Sequence, residues 1–342
     1  MISLLVVNYR SAALAAEAIR TARASTTQSL QIVVVDNSCD TAEAEALRGV
    51  ADTLIAADTN RGYAGGINLG RPACTGDTII VSNPDVTFAP QSIDHLHEAL
   101  RDASVAGPAF FWDEGHRWML PPGDLNTAPE KLDEVLASRS LAWARQRDRR
   151  RFRNRVAFWS QQQTTETRML SGAVMAIRAA DFDRAEGFDE RFPLYFEESD
   201  FLRRIAALGR RIVHVPAARC RHLFNQSAAQ VASEAAARYA QSEIRYLEKW
   251  NGPFVARMLK RMERPAPISD AQPLRLPLRI ERDDVVIEAS PLPTFATAAG
   301  HFPVAREIDI PADILAARTG DLYLRVVVRE SGAVLGTYKI TP

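Results

Sequence analysis

Three polar residues punctuate the apolar first quarter of the chain, and each follows a run that reads as a buried strand. Asn8 closes Ile2-Ser3-Leu4-Leu5-Val6-Val7, and Asp36 closes Gln31-Ile32-Val33-Val34-Val35. Asp85 follows Thr78-Ile79-Ile80-Val81 after Ser82-Asn83-Pro84. A residue before proline is steered away from the helical region, so the chain stays extended at Asn83 and then turns. The Asp85 carboxylate is left at the carboxyl edge of a strand, where ligands of open α/β sheets bind. Turn and cap formation accounts for any one such Asn or Asp. Three in succession on one edge point to a ligand.

A second group of acids lies in Phe196-Glu197-Glu198-Ser199-Asp200-Phe201. Phe201, Leu202, Ile205 and Leu208 recur at helical spacing and mark a buried stripe. Glu198 precedes Phe201 and Leu202 by three and four residues, which puts it on the same side. A carboxylate against apolar surface has a raised pKa, as a general base needs. Acids in a first turn also answer the helix dipole, and Glu197 and Asp200 are as close to it as Glu198. Between the two groups runs Asn60-Arg61-Gly62-Tyr63-Ala64-Gly65-Gly66-Ile67-Asn68-Leu69-Gly70. A glycine-rich loop entering a helix lets backbone N–H groups approach an anion. Its spacing is not G-x-G-x-x-G and it has no Walker A lysine, which excludes dinucleotide and P-loop sites.

The elements that must hold these groups alternate. Strands at 2–7, 31–35 and 53–56 are separated by helices from Ser11 to about Arg23 and over about 41–49. Such alternation predicts βαβ units, and near-continuous apolar strands suit a mostly parallel sheet covered on both faces. A helix over 91–102 and a strand over Val105–Phe111 follow. Residues 112–130 read as loop and 131–147 as helix. Met169–Arg178 and Arg211–Val215 return to strand, before helices at 228–250 and 253–264. A boundary falls at about 264–272, and beyond it short alternating strands predict a small β-sandwich-like domain over 273–342. The first domain is drawn at 1–264 with an arginine-rich insertion at about 112–168.

That insertion carries seven arginines from Arg145 to Arg155, followed by Phe158 and Trp159. A solvated helix face explains it as well as a patch for phosphates or anionic lipid heads, with the two aromatics at the interface. Formal net charge is zero, so nothing in the overall balance suggests nucleic acid. Cys39, Cys74 and Cys220 are far apart and form neither a zinc motif nor a disulfide framework, which points to a reducing compartment. No run approaches the roughly 18–20 apolar residues of a membrane span. A cytoplasmic protein is expected, with a peripheral contact at the inner membrane face left open.

Taken in order, Val7-Asn8-Tyr9, Val35-Asp36-Asn37-Ser38, the Asn60–Asn68 loop, Asn83-Pro84-Asp85, Leu170-Ser171-Gly172-Ala173, and Gly187-Phe188-Asp189-Glu190 through Asp200 resemble glycosyltransferase family 2, in its rhamnosyltransferase-like branch. The resemblance covers about residues 1–227. It implies an α/β GT-A (Rossmann-like) domain and inverting transfer of a sugar from a nucleotide-diphosphate donor to a hydroxyl of a glycan or lipid-linked acceptor. This would be a hexosyltransferase of surface-polysaccharide assembly, with dTDP-rhamnose as one candidate donor. Carried over by position, Asn8, Tyr9, Asp36, Asn37, Ser38, Arg61, Gly62, Tyr63, Ala64, Gly65, Asn68, Asn83 and Gly172 would line the donor site. Asp85 and His222 would hold a divalent cation, Mg²⁺ or Mn²⁺. Glu198 would be the base, with Glu197 and Asp200 as the alternatives. Two departures stand out: Asn83 replaces the first acid of the family's Asp-x-Asp, and Glu198 replaces an Asp. A non-catalytic glycan-binding scaffold and a sugar-nucleotide pyrophosphorylase are the competing readings; the latter requires a basic glycine-rich loop directly after the first strand, where Asn8-Tyr9-Arg10-Ser11 stands. For the C-terminal strands, homodimerisation is favoured over carbohydrate binding.

Overall fold

In the computed structural model, residues 1–192, 194–223, 232–265, 268, 270–318 and 320–341 are described. The chain forms two compact units. The first comprises residues 1–109, 123–125 and 162–250, the second residues 110–122, 126–161 and 251–342.

The first unit opens with β1 (Ile2–Asn8), α1 (Ala12–Ala24), β2 (Leu30–Asp36), α2 (Thr41–Arg48), β3 (Thr53–Ala56), α3 (Gly62–Gly70) and β4 (Thr78–Ser82). β1, β2 and β4 carry Val, Ile and Leu on both faces and are almost wholly buried, as a sheet covered on both sides demands, while the edge strand β3 is only partly buried. β1 pairs in parallel with both β2 and β4, and β2 with β3. Asn8 lies level with Asp36 in the β1–β2 register. The chain continues through β5 (Val86–Phe88), α4 (Ser92–Ala99) and β6 (Val105–Phe111) into α5 (Ala128–Arg139) and α6 (Leu141–Trp159). It returns through β7 (Thr165–Glu166), β8 (Val174–Arg178), α7 (Ala179–Arg184), α8 (Glu197–Ala207), β9 (Ile212–His222) and α9 (Ala232–Asn251). The sheet order is β3-β2-β1-β4-β8-β6-β9-β5, with β7 also on β9. The mostly parallel expectation holds only for its first half. β8 runs antiparallel to β4 and β6, and β9 antiparallel to β5 and β7. A three-residue strand such as β5 carries no periodic signal, and the sequence reading assigns no element to it.

The second unit takes α5, α6, α10 (Pro253–Met262) and the C-terminal strands. Its five-stranded sheet has the order β10 (Gln272–Pro273), β16 (Val334–Ile340), β15 (Leu322–Val328), β12 (Val285–Ser290), β13 (Ala299–His301). β11 (Leu278–Arg279) and β14 (Glu307–Ile308) form a separate pair, and α11 (Ala312–Ala317) precedes β15. This grouping differs from the sequence-drawn boundary near 264. Phe152 and Trp159 of α6 form an apolar cluster with Val286 and Val327, so the arginine-rich insertion covers a face of the C-terminal sheet. A helix therefore stands where the expected sandwich would have a second sheet. Trp159 is buried and donates from Nε1 to the Leu120 carbonyl, and Phe158 packs on the same cluster. Neither aromatic is placed for a membrane interface. Among the described residues no helix is long and apolar enough to cross a membrane.

Candidate active site

Two of the strand-end residues, Asn8 and Asp36, meet side by side at the ends of β1 and β2. Asn8 is buried, and its Nδ2 lies 2.9 Å from Asp36 Oδ1, 3.0 Å from Glu43 Oε2 and 3.3 Å from Ser38 Oγ. Two amide hydrogens thus serve three acceptors, which fixes the amide. Ser38 Oγ also accepts from Arg10 N at 2.7 Å, and the Asn8 carbonyl accepts from Asn37 N at 2.8 Å. Asn37 donates to the Gly62 carbonyl at 2.8 Å and so ties the β2 end to the start of α3. Its own Oδ1 is buried without a hydrogen-bond partner, an acceptor left for something else. Tyr9 is exposed beside this edge. Glu43, which also accepts from Ala12 N, escapes the sequence reading because an acid in a helical first turn looks like any answer to the dipole.

The glycine-rich segment becomes α3. Gly62 has φ +70°, a conformation glycine enters without the Cβ clash. A Cβ on Gly66 would lie 2.7 Å from Val7 Cγ1, so α3 rests on the end of β1 through bare backbone. Gly65 and buried Ala64 sit on the same helix, and Arg61 at its N-cap is exposed. Asn68 is committed away from this end of the helix. Its amide donates to Phe188 O at 2.8 Å and Glu190 Oε1 at 3.0 Å, and its Oδ1 accepts from Phe188 N at 2.9 Å. It pins the 187–190 loop.

Tyr63 is the meeting point of the two acidic groups. Its hydroxyl donates to the Gly172 carbonyl at 2.9 Å. Burial, and then the nearby carboxylates of Glu197, Glu198 and Asp85, hold its pKa well above the usual phenol value. A Cβ on Gly172 would touch Glu198 Cβ at 3.2 Å and Cγ at 3.3 Å, so the glycine makes room for that side chain. Glu197 and Glu198 open α8 after two consecutive left-handed residues, Tyr195 at φ +66° and Phe196 at φ +69°. Backbone of this kind in bulky residues persists only where the surroundings enforce it, and it concentrates at functional sites. Here α9 does the enforcing. Ser242 Oγ donates to Leu194 O at 2.8 Å, Arg245 to Arg191 O, and Tyr246 packs with Phe192 and Phe196.

The three candidate bases have different surroundings. Asp200 is buried, and both its oxygens are committed. Oδ2 takes Arg204 Nε at 2.8 Å, while Oδ1 takes Lys249 Nζ at 2.6 Å and Trp250 Nε1 at 2.9 Å. Glu197 is buried with Oε2 unpartnered, and burial and then Glu198 raise its pKa well above the ordinary value. Glu198 is half-buried, and burial raises its pKa against backbone hydrogen bonds that oppose the rise.

Asp85 is buried, and His222 Nε2 lies 3.3 Å from its Oδ1. β5 and β9 bring them together, since Val86 is level with His222 in that register. Burial would raise the Asp85 pKa, but the charge and hydrogen bond of His222 prevail and the net shift is downward. A carboxylate oxygen and an imidazole nitrogen at this separation fit the more tolerant Mn²⁺ better than Mg²⁺, which favours oxygen ligands, with further positions open to phosphate and water oxygens. Among the described residues no group of three or more His, Cys, Asp or Glu is arranged to hold a metal. Asn83 is half-buried at the end of β4, its N–H given to Ala173 O at 2.8 Å.

The chain is similar in sequence to known proteins. The family model described as glycosyltransferase like family 2 matches residues 1–240. The chain is 26% identical over 254 residues to N-acetylglucosaminyl-diphospho-decaprenol L-rhamnosyltransferase of Mycobacterium tuberculosis, spanning 67% of this chain and 78% of that protein. It is 32% identical to rhamnosyltransferase WbbL of Escherichia coli over 79 residues, 23% of this chain and 30% of that protein. Mannosyltransferase PcManGT from Pyrobaculum calidifontis, solved with GDP-Man and Mn²⁺, is similar at a TM-score of 0.45 and 15% identity, over 76% of this chain and 73% of that one.

Proposed function

The chain belongs to glycosyltransferase-like family 2, and from that premise we propose that it transfers a sugar, with inversion, from a nucleotide-diphosphate donor to a hydroxyl of a glycan or lipid-linked acceptor in surface-polysaccharide synthesis. Rhamnose is the proposed sugar, because the relatives with the matching sequence are named as rhamnosyltransferases. The observation that carries the reading is that Gly172 joins Tyr63, whose hydroxyl donates to its carbonyl, to Glu198, whose side chain packs where a Cβ on that glycine would stand.

In this reading Asn8, Asp36 and Ser38 form the rigid floor for the nucleoside, and Asn37 Oδ1 accepts a hydrogen bond from it. Tyr9 lies over the same end. Arg61 and the N-terminal N–H groups of α3, from Gly62 to Gly65, face the diphosphate. Asn83 stands beside it with a neutral amide. Asp85 and His222 would hold a divalent cation, which when bound would neutralise the charge of the departing diphosphate. Glu198 accepts the proton of the acceptor hydroxyl as that oxygen attacks the anomeric carbon. The bond from this carbon to the diphosphate oxygen breaks, and its electron pair leaves with the nucleotide. Glu198 is assigned this role over Asp200, whose oxygens are already held by cations, and over Glu197, which is more deeply buried. Burial suits Glu197 to staying protonated and donating a hydrogen bond.

A thermal-shift screen of nucleoside diphosphates and their sugars, with and without Mn²⁺, tests the donor assignment by mass action. A Mn²⁺-dependent rise in Tm with dTDP or dTDP-rhamnose, lost in Asp85→Ala, is the expected result. A flat response to every nucleotide would remove the donor site from the proposal.

A further inference from the structure

The outward face of α10 sets apolar and basic side chains side by side. The inward side of this ten-residue helix is Ala256 and Leu259, both buried. Its other side presents Phe254, Arg257, Met258 and Arg261 at the i, i+3, i+4, i+7 spacing that aligns residues along one helical face. Phe254 is 75% exposed and Met258 40%. The helix contains three basic residues and no acid. Glu263, the first acid after it, is taken by Lys131 at 2.8 Å and Lys260 at 2.6 Å. Arg257 reaches only back to the Pro253 carbonyl, at 3.1 Å, and neither it nor Arg261 meets a carboxylate among the described residues. Exposed arginines on the strand side of the same unit behave differently: Arg279 meets Glu307, Arg282 meets Asp284, and Arg306 meets Asp283.

We propose that this face of α10 docks on an anionic lipid surface, with Phe254 and Met258 entering the interfacial region and Arg257 and Arg261 meeting lipid phosphates. Two large apolar side chains held in water beside unpaired cations match the chemistry of a negatively charged interface, which rewards both at once. A purely apolar protein groove would answer the apolar pair but leave the two arginines without partners. The inference concerns the second unit and stands whether or not the donor and acceptor assignments hold.

The test is flotation of the full-length protein with vesicles of phosphatidylcholine alone or phosphatidylcholine mixed with phosphatidylglycerol. Co-flotation with the mixed vesicles only is expected. Phe254→Ser with Met258→Ser should lower the bound fraction by about tenfold per side chain. Arg257→Glu with Arg261→Glu should lower it by at least about fivefold per arginine. All four side chains are exposed, so an unchanged Tm is expected for both variants and confirms that they fold. Arg145→Glu with Arg149→Glu makes the same change of charge on the exposed side of α6 and should retain most of the binding. Absence of flotation with the mixed vesicles at low salt overturns the proposal. So does an equal loss in the α6 variant, which would make the attraction a matter of charge alone. Concentration-dependent self-association of the wild type, abolished by the Phe254 and Met258 changes without any flotation, would instead give the face to a second copy of the chain.

Discussion

Both units bury carboxylates, and they treat them in opposite ways. In the second unit Glu288 is buried between two arginines, with Arg155 Nη2 and Arg325 Nε each 2.6 Å away. Arg325 also meets Asp148 at 2.9 Å. Burial acts to lower the Arg325 pKa, yet Glu288 and Asp148 carry it above its ordinary value. In the first unit Glu197 is buried and Glu198 half-buried, neither is paired with a cation among the described residues, and burial raises both pKa values. Asp200, two residues on, is compensated as fully as Glu288. A buried charge with its partners is architecture. A buried acid without them holds free energy that only a ligand or a proton can release, which is why such groups mark working sites.

The sharpest way to break this contrast is Glu198→Gln, which keeps shape and removes the base. Transfer should fall by about 10²–10⁴-fold with donor binding retained, measured as nucleotide released at saturating acceptor. Retained turnover would move the base elsewhere, first to Glu197. The mirror experiment is Glu288→Gln, which leaves two buried guanidinium groups short of an acceptor. A loss of about 3–5 kcal/mol in denaturant unfolding of the second unit is expected. Asp200→Ala is milder, because Arg204 and Lys249 are partly exposed and regain water. About 1.5–3 kcal/mol is expected, with a lowered kcat from the loosened acid pair, and recovery in Asp200→Glu would mark the effect as positional.

The subtlest test is pH. Glu198 must be ionised to take a proton and its pKa is raised, so kcat/KM should climb with pH through a limb above the ordinary glutamate value. Stability runs the other way. A carboxyl whose folded pKa exceeds the unfolded one favours the fold below the unfolded pKa, and that contribution is lost as pH rises through the folded value. Glu197→Gln should therefore raise the Tm at neutral pH and flatten its pH dependence. A Tm below wild type at neutral pH would mean that Glu197 is compensated after all.

The sheet edge was legible because strands covered on both faces must be apolar, so Asn8, Asp36 and Asp85 stand out where those runs stop. α8 was legible from the stripe of Phe201, Leu202 and Ile205, although Leu208, read as its fourth member, lies exposed just past the end of the helix. Which acid is compensated was not legible, because Lys249 and Trp250 meet Asp200 from about fifty residues downstream and local spacing carries no trace of them. Asn68 reads as part of an anion loop, yet its amide is spent on Phe188 and Glu190. The arginines of α6 read as one patch, but only tertiary packing reveals that Arg155 is buried on Glu288 while Arg145 faces water. Trp159 was misjudged for the same reason: its sheet partners, Val286 and Val327, lie more than a hundred residues away.

The clasp on Asp200 bears on where the chain can be cut. The family match ends at residue 240, an obvious terminus for a minimal expression unit. Such a fragment would keep every strand of the first unit's sheet and still lose Tyr246, Lys249 and Trp250. Asp200 would be left with Arg204 as its cation, and the left-handed turn at Tyr195 and Phe196 would lose much of its backing. The smallest working piece must therefore run through Trp250, ten residues past the edge that sequence similarity draws.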